Sequence, residues 1–225
     1  MEQDTIKGIA FDLDNTLYPW KSGLLPRIME NTIGFWMKKY NITRQEYNER
    51  RGPLKEKYGS YMKGFMKECP NFTYEEYATC ISDGIIYEDF LSQDNKLKDM
   101  LNKIKPSIQK YIVSNSPMNH IQQTIKALGI ESCFDGIISL CDFNGEHCKP
   151  DKIVYETLAK KTNIPLNQWI MVDDCSDSLN QAKQLRMKTV HICWPFNLSG
   201  TCGFDHCENG LIHYLPLDMF NAFSK

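Results

Sequence analysis

The sequence has no long hydrophobic run, no block of like charge, no low-complexity segment and no internal repeat. No apolar stretch approaches the length of a membrane span, which argues against an integral membrane protein. With 24% charged residues and a formal net charge of -2, the chain offers neither a basic field for a nucleic-acid polymer nor an acidic tail. An anion would have to be held by local groups. The N-terminus, Met-Glu-Gln-Asp-Thr, lacks the basic-then-apolar pattern of a secretory signal. Cysteine is plentiful, nine in 225 residues, but the count is odd, the spacing is irregular and no C-x-x-C pair occurs. That usage fits reduced thiols in a cytoplasmic protein rather than a disulfide framework. The length suits one sizeable core with a smaller appendage.

What is present is organised around Ile6 to Pro19. An apolar run too short for a free-standing helix suits a buried strand, and it ends in Asp12-Leu13-Asp14. A helix cap or turn made by Asp14-Asn15-Thr16 is the plainer alternative, but no clear helix follows at once. After Pro19 the spacing turns helical. Leu24, Leu25, Ile28, Met29, Ile33, Phe35 and Trp36 predict one helix. Arg44–Lys57 and Ser60–Lys67 predict two more, with Gly52-Pro53 and Tyr58-Gly59 as breaks, and Thr73 with Glu75-Glu76 opens a fourth. From Asn95 helices alternate with strands. Helices are expected from Leu97 to Ile104, from Ser116-Pro117 (Ser116 as cap) to Leu128, from Asp151 to Lys161 with Ile153, Val154 and Leu158 facing inward, and from Ser176 to Leu185. Strands are expected over Gln109–Val113, Gly136–Leu140, Trp169–Val172 and, last, Thr189–Cys193. Such alternation implies βαβ units and a parallel sheet. The expected architecture is α/β: a Rossmann-like core, residues 1–18 and 93–225, with helices on both faces, and an inserted all-helical cap over 19–92.

In a parallel sheet the strand ends converge on one rim, where ligands bind. Asp12 and Asp14 end the first strand, Ser114 the second, Asp173 and Asp174 the fourth, and Lys149 opens the helix before the fourth. Carboxylates crowded together raise one another's pKa unless a cation sits among them. Oxygen ligands of this kind suit Mg2+, with waters and a substrate phosphate completing the shell. A lysine, a hydroxyl and the helix start at Ser116-Pro117 add donors for an anion.

These residues resemble the four motifs of the haloacid dehalogenase superfamily of phosphohydrolases, in order: Asp12-Leu13-Asp14-Asn15-Thr16, Ser114-Asn115, Lys149-Pro150 and Asp173-Asp174. The helical block after the first motif resembles that superfamily's inserted cap. Asp14 to Pro19, Tyr58-Gly59 and Cys148-Lys149-Pro150 look like the pyrimidine 5'-nucleotidase branch. The resemblance implies that Asp12 is a nucleophile forming an aspartyl-phosphate and that Asp14 is the acid and base. Ser114, the Asn115 N–H and Lys149 would hold the phosphoryl group. Mg2+ would be held by Asp12, the Asp14 carbonyl and Asp174, with Asp173 beside it. The substrate implied is a small phosphorylated metabolite such as a pyrimidine nucleoside 5'-monophosphate, handled by a monomer or homodimer. The superfamily's dehalogenases need no second Asp in the first motif, so Asp14 favours phosphate chemistry. Sugar-phosphate mutases share that Asp and stay open as an alternative, as does a binding module without catalysis. Ser178 stands where the fourth motif often ends in an acid or amide, with Asp177 one residue early.

Other residues carry weaker signals. His191, Cys193, Cys202, His206, Cys207 and His213 are zinc-type ligands at no common zinc spacing. Asp142 beside Cys141 reads as a turn residue before Asn144-Gly145. Tyr18 and Trp20 either stack on a base or pin the cap, and Lys21 reads as a solvated lysine.

Overall fold

The computed structural model describes residues 5–69, 71–193 and 206–209. Six parallel strands form one sheet in the order β3-β2-β1-β4-β5-β6. These are β1 (Gly8–Phe11), β2 (Gln109–Val113), β3 (Gly136–Ile138), β4 (Trp169–Asp173), β5 (Lys188–Cys193) and β6 (His206–Asn209). Side chains alternate across the sheet, so β1, β2 and β4 each supply two cores. Ile9, Phe11, Ile112, Ile170 and Val172 pack on one face against α5 (Asn95–Lys103) and α6 (Met118–Leu128). Ala10, Tyr111, Val113, Trp169 and Met171 pack on the other against α7 (Lys152–Thr162) and α8 (Ser176–Gln184). All of β1 and β4 is buried, as strands covered on both faces must be. The chain moves outward one way through β1, β2 and β3 and the other way through β4, β5 and β6. The junction of β1 with β4 is therefore a switch point, where a crevice opens beyond the strand ends.

Between β1 and α5 the described residues form helices and turns alone: α1 (Leu24–Tyr40), α2 (Arg44–Tyr58), α3 (Tyr61–Glu68) and α4 (Tyr74–Ser82), with short 3-10 turns at Trp20–Ser22 and Tyr87–Asp89. Trp36 is the centre of their packing, its ring centroid 3.9 Å from Phe65 and 4.6 Å from Phe72. Thr43 and Thr73 each close a capping box, with Glu46 and Glu76. Gly59, at φ 77°, ends α2 in the left-handed conformation that glycine adopts without steric cost. The apolar cluster of these helices is continuous with that of one sheet face.

Several local expectations are corrected. Gly52-Pro53 does not break α2, which runs through it. A residue before proline resists the helical conformation through its Cβ, and Gly52 has none. Buried Tyr47 and Leu54 anchor the helix on either side. Pro117, not Ser116, stands at the N-cap of α6, without a side-chain cap; the Ser116 hydroxyl is engaged elsewhere. On α7 the inward residues are Val154, Tyr155 and Leu158, while Ile153 is 40% exposed. β3 stops at Ile138, and Leu140 begins a 3-10 turn. β5 is not the last strand: β6 follows it, and its His-Cys-Glu-Asn sequence carries no apolar alternation to announce a strand. Among the described residues no helix is long and apolar enough to cross a membrane.

Candidate active site

β1 delivers Asp12 to the rim directly. The chain then turns through Leu13, whose carbonyl accepts from the amides of Thr16 and Leu17, and Asn15 takes the left-handed conformation at φ 61°. Small polar residues tolerate that region, Asn best among them. This turn aims Asp12 and Asp14 into one cavity of about 340 Å³. Ser114, Asn115, Lys149, Asp173 and Asp174 line the same cavity, so all seven residues singled out from the sequence surround one hollow.

Within it the groups divide in two. Asp12, Asp173 and Asp174 offer carboxylate oxygens that all lie within 4.8 Å of one another. Lys149, 2% exposed at its side chain, bridges two of them, 2.7 Å to Asp12 Oδ1 and 2.6 Å to Asp173 Oδ2. Burial works against the ammonium, but Asp12 and Asp173 outweigh it and the lysine pKa rises. Asp12 is pushed well above the usual carboxylate range, first by burial and then, against the pull of Lys149, by Asp173, Asp174 and Asp14. Asp174 is pushed up to about 7, by burial first and by Asp173 second. One lysine does not satisfy this much buried negative charge. A hard divalent cation with oxygen ligands does, so the donor set fits Mg2+.

Asp14 forms the second group with partners of its own. Tyr18 donates its hydroxyl to Asp14 Oδ1, Ser116 donates to Oδ2, and His120 Nε2 lies 2.8 Å from Oδ1. Burial raises the Asp14 pKa, yet the charge and hydrogen bond of His120, with the bonds from Ser116 and Tyr18, overcome it and draw the group down to about 2. His120 is fully buried and its Nδ1 stands 2.9 Å from the Tyr87 hydroxyl. Sequence reasoning missed His120. The available signal was its place in the first turn of the helix that follows Ser114.

Two asparagines brace the rim. Asn115 spans Lys149, accepting from its amide at 2.6 Å and donating to its carbonyl at 2.9 Å. The Asn115 side chain is thereby occupied, which leaves its N–H as the group for an anion. Asn15 donates to Asp174 Oδ2 at 2.5 Å and accepts from the Trp20 amide at 3.0 Å. Tyr18 is buried against Asp14, whereas Trp20, 42% exposed, lines the cavity. Asp177 and Ser178 line it too, while Asp142 accepts from the Ser139 amide in the turn expected of it. Among the zinc-type ligands, His191 Nε2 lies 3.1 Å from the Asp174 carbonyl. Cys202 and His213 lie outside the described residues, as do the side chains of Cys193, His206 and Cys207, and the acidic trio is the one metal-type cluster among those described.

The family model of the haloacid dehalogenase-like hydrolases matches residues 6–180, which takes in all seven rim residues and His120. The chain belongs to the haloacid dehalogenase-like hydrolases. A curated relative of this haloacid dehalogenase-like chain is Phosphate metabolism protein 8 of Saccharomyces cerevisiae, 29% identical over 197 residues. The match covers 82% of this chain and 60% of that protein, so the chain spans less than two thirds of the relative's length. Among solved structures, beta-phosphoglucomutase from Clostridium difficile matches with a TM-score of 0.65 at 17% identity, covering 98% of this chain and 97% of its own. A HAD phosphatase from Thermococcus onnurineus matches with a TM-score of 0.58 at 18% identity, covering 90% and 93%. At such identities the two likenesses show the shared haloacid dehalogenase-like fold.

Proposed function

We propose that this hydrolase is a Mg2+-dependent phosphatase that cleaves phosphomonoesters through an aspartyl-phosphate on Asp12. The observation that carries the reading is the trio of buried Asp12 and Asp173 with half-buried Asp174, with Lys149 between two of its members and Ser114 on the same cavity wall. Asp12, Asp174 and the Asp14 carbonyl would hold the ion, with Asp173 beside them. A bound Mg2+ supplies positive charge that polarises the phosphoryl group. Asp12 Oδ forms a bond to phosphorus as the bond to the leaving oxygen breaks. That oxygen takes a proton at Asp14, and in the second step Asp14 takes a proton from the water that displaces Asp12 and frees inorganic phosphate. Its three partners favour the ionised carboxylate, which suits the second step. The first requires release from them when substrate fills the cavity. Ser114, the Asn115 N–H and Lys149 hold the phosphoryl oxygens as charge develops.

In this reading residues 19–92 are a cap that closes over the rim and excludes water. The substrate is a small phosphorylated metabolite, and the finer assignment is a pyrimidine nucleoside 5'-monophosphate. Support for it comes from the resemblance of Asp14–Pro19, Tyr58-Gly59 and Cys148–Pro150 to that branch, and from Trp20, Tyr61 and Tyr77 as aromatic surfaces of the cavity. The relative's name, with its reference to phosphate metabolism, agrees with the coarser statement. The reduced cysteines fit a cytoplasmic setting.

Phosphate release from a panel of metabolites, with Mg2+ and with EDTA, tests the proposal. Turnover should require Mg2+, and Asp12→Asn should lower kcat by more than about 10³-fold, as loss of a nucleophile does. An Asp12→Asn protein as fast as the wild type would remove the reading.

A further inference from the structure

The inserted helices bring cations of their own to this cavity. Arg51 and Lys55 are one turn apart on α2, hence on one face of it, and both line the hollow that holds Asp12, Ser114 and Lys149. The Arg51 guanidinium lies over the Tyr61 ring, 4.7 Å from its centroid. Tyr61 in turn lies close enough to the rim to sense Asp14: burial pushes its hydroxyl up first, Arg51 pulls it down and Asp14 pushes it up again.

Four other cations of the same helices have carboxylate partners, and those without one among the described residues, Arg27, Lys38, Arg50 and Lys67, do not line this cavity. Lys39 pairs with Glu76, Arg44 with Glu30, Lys57 with Glu68 and Lys63 with Asp151. Among the described residues, neither Arg51 nor Lys55 has a carboxylate within 4.0 Å, although both face a cavity. The transferring phosphoryl group already has Lys149, Ser114 and the Asn115 N–H. A guanidinium seated on an aromatic ring keeps its N–H edge free for bidentate contact with a carboxylate or phosphate.

We propose that Arg51 and Lys55 form a subsite for a second anionic group, a carboxylate or a phosphate, on the leaving portion of the substrate. The inference rests on the phosphomonoester reading and narrows it. A nucleoside monophosphate with no further anion would use the aromatic surfaces and leave both cations unanswered, so the subsite keeps the phosphomonoester reading and replaces that finer assignment with a doubly anionic substrate.

Non-hydrolysable ligands test the subsite apart from the chemistry. Calorimetry with Mg2+ compares benzylphosphonate, 4-carboxybenzylphosphonate and p-xylylenebisphosphonate on wild type, Arg51→Gln and Lys55→Gln. The wild type should bind at least one doubly anionic ligand about tenfold or more tightly than benzylphosphonate, and which one identifies the second anion as carboxylate or phosphate. That ratio should fall about tenfold in Arg51→Gln, the size expected for losing a hydrogen bond to a charged group, and less in Lys55→Gln. Equal affinities in the wild type, or a ratio unchanged in both variants, would overturn the subsite. Turnover of phenyl phosphate and 4-carboxyphenyl phosphate is read separately. If neither ester releases phosphate while the Arg51-dependent preference persists, the subsite stands and the hydrolase reading falls.

Discussion

At the scale of single residues, Lys149 is the side chain on which the rim most depends. It is buried between Asp12 and Asp173, and removing it leaves two largely buried carboxylates without their shared cation. Lys149→Met should cost about 3–5 kcal/mol in urea unfolding with EDTA present, the usual result of removing one member of a buried ion pair. Asp12, Asp173 and Asp174 were legible because each stands at the end of a strand, where a parallel sheet must turn its chain toward ligand; Lys149, expected to open a helix, instead stands in the turn before α7, which begins at Lys152. His120 was harder to read, because its one signal, a place in the first turn of α6, does not name the carboxylate it meets 106 residues away in sequence. The Ser116 hydroxyl misled for a related reason. A serine before a proline is a good cap, but Asp14 competes for its proton and wins.

At the scale of elements, the central strands are matched by size as well as by pattern. Gly8 stands opposite Trp169 across the β1–β4 pairing, and Gly136 opposite Tyr111 across β2–β3. A Cβ on Gly8 would lie 2.5 Å from the Trp169 ring. Trp169 is wholly buried and cannot withdraw. Gly8→Ala should therefore destabilise by about 1–3 kcal/mol in urea unfolding, by overpacking rather than by any change of backbone propensity. Alternation and apolar runs made β1, β2 and β4 readable. β6 was invisible because it is polar, and its pairing with β5 comes from backbone bonds that no side-chain pattern encodes. The break expected at Gly52-Pro53 failed because two residues that each weaken a helix offset one another's steric objection here, with Leu54 buried just beyond.

At the scale of the molecule, an ion and the fold should stabilise each other. In the metal-free chain Asp174 binds its proton more tightly folded, at about 7, than unfolded, at its ordinary 3.8. Its contribution is therefore most favourable at low pH and is lost as pH rises from about 4 through 7. A divalent ion reverses this, since it prefers the ionised form and binds the folded chain. Saturating Mg2+ should raise Tm, and by more at pH 8 than at pH 6; differential scanning calorimetry with Mg2+ and with EDTA checks both. The order of strands and helices made the core legible from a distance. The cavity wall contributed by α2 was not, because Arg51 and Lys55 lie in a charged helix whose pattern does not distinguish a face toward a ligand from one toward water.

The side chain of Asn15 joins two places that the chain separates widely. One end of its amide holds a carboxylate at the tip of β4, and the other holds the Trp20 amide, where the run of helices between β1 and α5 begins. Whatever affinity a settled Trp20 segment lends to a cation at Asp174, the cation must return to that segment in equal measure, since such couplings are reciprocal. Any loading of a cation and any stilling of the Trp20 backbone would thus be two readings of one equilibrium, joined by a single carboxamide.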